Sequence, residues 1–173
     1  FYENLTFDTY IDASLSYIGV DISGVYEDSE GNIYVASETG LAVIDETGPS
    51  LLARNIEVVS FAERDRKLLF ACRDHLLAVD MDTREQRKTD FRRTGAGDAV
   101  AMTLTGPDKD IYVGFKDNTI AYIDPETLLP SLRRGKMGRV RYMYPDPEGL
   151  LWIATEKTGI WSYNRHKDRF RHY

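Results

Sequence analysis

The sequence predicts an all-β chain of four-stranded antiparallel sheets, about four of them in tandem. Three observations predict it. One pattern of apolar and turn residues recurs four times along the 173 residues. Its apolar runs are short, rich in Val, Ile, Leu, Tyr and Phe, and bounded by Gly, Asp, Asn and Pro. No segment sustains helical periodicity.

The first two strands of each repeat align by columns. A large apolar residue stands at Tyr26, Phe61, Leu104 and Tyr144, and another follows eight positions later at Tyr34, Leu69, Tyr112 and Trp152. The second column is preceded by Ile33, Leu68, Ile111 and Leu151, and followed by Val35, Phe70, Val113 and Ile153. Consecutive apolar positions predict a strand covered on both faces. Recurring in every repeat, Tyr34 and Trp152 read as packing residues between sheets rather than sugar-stacking platforms. Small residues come next at Ala36, Ala71, Gly114 and Ala154, which lets a neighbouring sheet approach closely. The turns have a mechanism. In Asp28-Ser29-Glu30-Gly31 and Asp146-Pro147-Glu148-Gly149 the aspartate can accept a backbone N–H, Pro147 fixes φ, and the glycine permits left-handed geometry.

A third apolar run then ends in a polar stop, at 41–45, 76–80, 120–124 and 160–164. A more polar stretch follows at 50–55, 84–91, 128–134 and 169–173, as expected for an outer strand with one wet face. Four strands at spacings of 35, 43 and 40 residues describe β-propeller blades. The expected blades are 21–55, 56–95, 96–138 and 139–173, all in one propeller segment. Residues 1–7 resemble the closing stretch Phe170-Arg171-His172-Tyr173, so 1–20 is expected to hold the outer strand of a preceding blade and its connection. Four blades and a leftover strand predict a partial propeller. Its end blades would expose apolar faces that promote self-association.

Composition narrows the function classes. The net charge is −6, which argues against broad salt-driven nucleic-acid binding. No run approaches the roughly 18 apolar residues that span a bilayer. A lone cysteine, Cys72, excludes an intrachain disulfide and a multi-cysteine metal site, and its apolar strand predicts a packed thiol. No basic stretch followed by an apolar one opens the chain, so no signal peptide is in view. Asn4-Leu5-Thr6 matches a glycosylation acceptor, a triplet common by chance.

The inventory of chemistry is thin. His75, His166 and His172 lack metal-ligand spacing. Thr94-Gly95-Ala96-Gly97-Asp98 lacks the Lys-Ser/Thr of a phosphate loop and reads as a linker. Asp28-Ser29-Glu30-Gly31-Asn32 lacks the distal acid of a calcium loop and reads as a hairpin turn. The placement of Trp161 and Tyr163 stays open. Arg133, Arg134, Lys136, Arg139 and Arg141 read as a solvated face, with an anion or acidic-sugar contact as the alternative. No catalytic, metal or cofactor residues are expected. A ligand is expected at the blade-connecting loops, with no residue singled out.

Two repeats carry a family resemblance. Glu27 to Ser37 followed by Gly40-Leu41, and Asp146 to Thr155 followed by Gly159-Ile160, resemble the two-component regulator propeller repeat. The second repeat departs at Arg64-Asp65-Arg66-Lys67 and at His75, where that pattern has Gly; the third departs at Gly106-Pro107-Asp108-Lys109 and Thr119. The resemblance implies a module of the periplasmic sensor half of Bacteroidetes hybrid histidine kinases, which respond to glycan fragments. It implies a membrane-anchored parent, an oligosaccharide ligand, a sensor dimer, no cofactor and no catalysis by this segment. The alternatives are a propeller lyase or hydrolase and a protein-interaction scaffold. An enzyme would need an acid/base pair near the propeller axis.

Overall fold

The structure is a computed structural model and describes residues 21–173 apart from 107. Residues 1–7 and the Asn4-Leu5-Thr6 triplet lie outside the described residues. The chain divides into two compact units, Phe1–Ile56 and Glu57–Tyr173.

The first unit holds one antiparallel sheet of β1 (Ile22–Glu27), β2 (Ile33–Ser37), β3 (Gly40–Asp45) and β4 (Gly48–Arg54). The second unit holds three. They are β5 (Val58–Arg64), β6 (Lys67–Cys72), β7 (His75–Asp80) and β8 (Gln86–Asp90); then β9 (Ala99–Thr105), β10 (Asp110–Phe115), β11 (Thr119–Ile123) and β12 (Pro130–Arg134); then β13 (Val140–Pro145), β14 (Leu150–Thr155), β15 (Ile160–Asn164) and β16 (Arg169–His172). Every sheet is a meander in chain order, which is the form of a propeller blade. Among the described residues the only helical element is a single 3-10 turn at Arg92–Thr94.

The register keeps one expected column and corrects another. Tyr34, Leu69, Tyr112 and Trp152 are equivalent, because Ala36, Ala71, Gly114 and Ala154 pair with Leu41, Leu76, Ile120 and Ile160 in turn. The first-strand partners of that column are Tyr26, Ala62, Thr103 and Tyr144. Phe61 and Leu104 are therefore one position out of register with Tyr26 and Tyr144. The cause is turn length. Glu27 pairs with Ile33 and Pro145 with Leu151, whereas Arg64 pairs with Lys67 and Thr105 with Asp110. The short second turn places Asp65 and Arg66 at φ of 49° and 57°, a left-handed pair that continues the strand twist.

Within the second unit the blades pack face to face. Leu69, Ala71 and Leu76 of the second blade meet Met102, Ile111 and Val113 of the third. Tyr112 and Ile120 of the third meet Val140, Met143, Leu151 and Ile153 of the fourth. The middle strands β6 and β10 are buried at five consecutive positions, as the unbroken apolar runs predict. In β14, Leu151 and Ile153 are buried and the alternate positions only half-buried. On that barer side Tyr142 is 63%, Tyr144 54% and Ile160 52% exposed.

Aspartates organise the turns. Asp28 Oδ1 accepts the backbone N–H groups of Glu30 and Asn32, and Oδ2 accepts Asn32 Nδ2 and the Tyr34 hydroxyl, all at 2.9–3.0 Å. Asp146 repeats the arrangement with Glu148, Leu150 and the Trp152 indole N–H. Gly31 and Gly149 close these turns at φ of 86° and 84°. Every acceptor site of Asp28 is thus engaged by the hairpin. The polar stops work alike: Asp80 and Asp124 each accept two backbone N–H groups and a threonine hydroxyl from the next turn.

The third blade lacks this aspartate, since Gly106 stands six residues before Tyr112. The Tyr112 hydroxyl is buried without a hydrogen-bond partner. Burial pushes its pKa well up. Tyr112→Phe is expected to be neutral or stabilising, and Tyr34→Phe to cost about 1 kcal/mol. Denaturant midpoints of the two variants check this.

Candidate functional site

The loops gather at two ends of each sheet. At the end where the first strand begins, a backbone bond recurs in all four blades. The residue after the second strand donates its N–H to the carbonyl of the residue before the first: Glu38 to Asp21, Arg73 to Glu57, Lys116 to Asp98 and Glu156 to Arg139. Those positions also carry opposed charges in the second unit. Arg73 pairs with Glu57, Lys116 with Asp98 at 3.3 Å, and Arg139 with Glu156 at 3.3 Å. In the first blade the positions hold two carboxylates, Asp21 and Glu38. The three ion pairs surround a cleft of about 260 Å³ between the starts of β5, β9 and β13. Arg141 also lines the cleft and shares Glu156 with Arg139, so four cations meet three carboxylates there and one positive charge is left over.

The basic stretch is not one patch. Arg133 Nε donates to Asp168 across the blade seam at 2.8 Å. Arg134 donates to the Gly95 carbonyl. Arg139 and Arg141 share the two oxygens of Glu156. Four of the five are thus bound to the protein itself. The long loop from β8 to β9, with Thr94 to Asp98 in it, links the blades as the sequence predicts.

Aromatic and thiol candidates are also accounted for. Trp161 donates to Thr158 and stacks on His172 at 4.4 Å. The buried Tyr163 hydroxyl donates to Asp168, and burial and that carboxylate push its pKa up to about 12. Cys72 is fully buried, which raises its pKa to about 12. His172 Nε2 lies 2.6 Å from the Thr158 carbonyl, and His166 is exposed in the β15–β16 turn. These two histidines do not converge on a carboxylate.

A larger groove, about 560 Å³, opens beside the outer strand β8, walled by the β6–β7 turn, β8 and the 3-10 turn, with Leu129 of the next blade at its edge. His75 and Asp74 lie in its wall, with Asp74 Oδ1 at 2.7 Å from His75 Nδ1. The His75 hydrogen bond holds Asp74 below the usual carboxylate range. Sequence columns flagged His75 only as a departure from glycine. The pairing and the groove need the fold. The ion-pair column, by contrast, was available to sequence reading as sign-opposed residues flanking aligned strands.

Acid should weaken the protein in a defined window. Burial raises Asp28, but hydrogen bonds from Asn32, Tyr34 and Glu30 outweigh it, and its pKa is lowered. Asp74 and Asp168 are lowered as well, by His75 and by Tyr163 with Arg133. A carboxyl with a depressed folded pKa stabilises above its unfolded value, about 3.9, and that contribution fades as pH falls through the folded one. Denaturant midpoints are expected to be flat from about pH 7 to 5 and to fall steadily below about pH 4. Asp28→Asn should flatten the acid limb.

Comparison with known proteins agrees with this architecture. Residues 136–157, which span β13 and β14, match the two component regulator propeller family. No curated protein matches the chain in sequence. Among solved structures it is similar to the extracellular domain of BT4673 of B. thetaiotaomicron, a protein assigned as a hybrid two component system: 17% identity, TM-score 0.68, over 90% of this chain and 22% of that one. The corresponding domain of BT3049, assigned likewise, gives 11% identity and TM-score 0.68 over 91% and 23%. The Pan2 WD40 domain of Neurospora crassa gives 12% identity and TM-score 0.71 over 94% and 52%. The chain therefore spans under a quarter of the two bacterial domains. It has the β-propeller fold, and the first two strands of its fourth blade are similar to the two component regulator propeller family.

Proposed function

We propose that the chain is a sensing module: part of the extracytoplasmic propeller of a membrane-anchored hybrid two-component histidine kinase that responds to glycan fragments. The match at residues 136–157 carries this reading. The likeness to two extracellular domains supports the compartment. The module works by binding rather than catalysis. The one histidine–carboxylate pair among the described residues, His75 with Asp74, lies beside the outer strand β8 rather than at a first strand, and the ion pairs of the 260 Å³ cleft hold their charged groups in structural contacts. Ligand binding biases the arrangement of two sensor chains, and the shift is read across the membrane. The bare aromatic side of β13 and β14 is a ready surface for self-association.

The test uses the full-length protein that contains this segment. Its autokinase activity is measured with a panel of neutral and acidic oligosaccharides. A change with at least one is expected. An unchanged rate with all of them overturns the glycan-sensing reading.

A further inference from the structure

The cleft at the starts of β5, β9 and β13 is built by a device that recurs in each blade of the Glu57–Tyr173 unit. The pairing of the first two strands skips one residue. Val58 pairs with Cys72 and Ser60 with Ala71; Ala99 pairs with Phe115 and Ala101 with Gly114; Val140 pairs with Thr155 and Tyr142 with Ala154. The skipped residues are Val59, Val100 and Arg141. A bulge re-aims the side chain it frees. All three of these residues line the cleft.

The fourth blade departs from the other two at this bulge. Where they carry valine, it carries Arg141. Its flanking pair is also reversed. Glu57 and Asp98 precede the first strands of the second and third blades, whereas Arg139 precedes that of the fourth. Arg139 and Arg141 therefore share Glu156, and both line the cleft with Arg73 and Lys116. Among the described residues Glu57 is the one carboxylate in that lining, since Asp98 and Glu156 are not part of it. Lys116 and Arg139 thus bring like charges to one space from adjoining blades, and an anion between them relieves the repulsion.

Donors remain for such an anion. Arg139 commits Nη1 and Arg141 Nη2 to Glu156, Arg73 commits Nη2 to Glu57, and Lys116 Nζ contacts Asp98. A guanidinium and an ammonium each carry more N–H groups than these contacts use. Part of the wall is apolar. Ala99 is 2% and Val140 0% exposed, so charges act there at a lower dielectric than on an open surface. At about 260 Å³ the cleft is smaller than the roughly 300–1,000 Å³ of drug-sized ligand sites, and it suits a compact ion with its water.

We propose that this cleft is an anion site, binding a phosphate, sulfate or carboxylate group between Arg139 and Arg141 of the fourth blade and Lys116 of the third. The bound oxygens supply the negative charge that the reversed pair withdraws from the lining. This site stands apart from the glycan-sensing reading and does not rest on it.

The isotope-labelled chain is titrated at low salt with sodium phosphate, sodium sulfate and sodium citrate, and followed by NMR of backbone amides and arginine Nε–H groups. Sodium chloride at matched ionic strength is the reference. At least one oxyanion is expected to shift the Arg139 and Arg141 Nε–H groups and the Val100 amide, with a Kd below about 10 mM. The three arms tell a tetrahedral oxyanion from a carboxylate. Arg141→Val installs the residue that the other two blades carry, so the fold is expected to persist, and it should weaken binding about fivefold or more. Glu57→Gln removes the lining carboxylate and should tighten binding about threefold. Shifts no larger than chloride gives, unchanged affinity in Arg141→Val, or no gain in Glu57→Gln overturn the site and leave the glycan reading standing.

Discussion

Asp28→Ala is expected to destabilise the Phe1–Ile56 unit by about 3 kcal/mol, the sum of lost charge-assisted bonds and a stranded buried hydroxyl. Asp28 is 5% exposed and accepts from Glu30, Asn32 and Tyr34. Truncation leaves two turn N–H groups and the Tyr34 hydroxyl seeking acceptors. Tyr34 is itself fully buried, so its hydroxyl has no easy route to water. Asp28→Asn should cost less, because the amide oxygen still accepts from the turn while its NH₂ conflicts with Asn32 Nδ2. Hydrogen exchange of the β1 and β2 amides, compared with those of β6 and β10, checks both size and location. Equal protection in wild type and Asp28→Ala would refute the organising role of this carboxylate.

Gly114→Val is expected to destabilise the Glu57–Tyr173 unit by about 2–3 kcal/mol through overpacking. A Cβ at this position would lie 2.7 Å from Val140 Cγ1 and 3.1 Å from Met143 Sδ. Val140 and Met143 are buried in the junction of the third and fourth blades, so they have little room to retreat. Gly114→Ala meets the same contacts with less volume and should cost less. The strain is specific to the junction. A compensating Val140→Ala in the Gly114→Ala background should recover part of the loss, and a double-mutant cycle in denaturant measures that coupling. Additive losses would mean that the two blades do not press together here.

These two sites differ in how they announce themselves. The Asp-x-x-Gly turns were legible because Asp and Gly act locally: a carboxylate reaches backbone N–H groups two and four residues on, and glycine takes the left-handed bend. The same locality made the polar stops at Asp80 and Asp124 readable as strand ends. Small residues at Ala36, Ala71, Gly114 and Ala154 marked a close approach. They could not say that Val140 and Met143 do the approaching, because those residues arrive from the next blade.

The candidate site was less legible. His75 stands where the first and fourth repeats have glycine, and no local pattern marks its neighbour Asp74 as a partner. The five basic residues from 133 to 141 look contiguous, yet four of their side chains turn to Asp168, Gly95 and Glu156. Strand residues alternate sides and blades twist, so neighbours in sequence are parted in space. Phe61 and Leu104 fall out of register for a simpler reason: the partner of the shared column lies one residue nearer in the second blade and one farther in the third, and an odd change moves the preceding strand to its other face.

By itself the sequence determined the all-β class, the four repeats, the turn chemistry and the apolar strands that must be covered on both sides. All of these depend on residues within a few positions of one another. The tertiary structure alone decided which blade faces touch, which charges cancel, where the groove beside β8 opens and which bulged residues line the cleft. Those depend on strands far apart in the chain, whose separation no local pattern encodes.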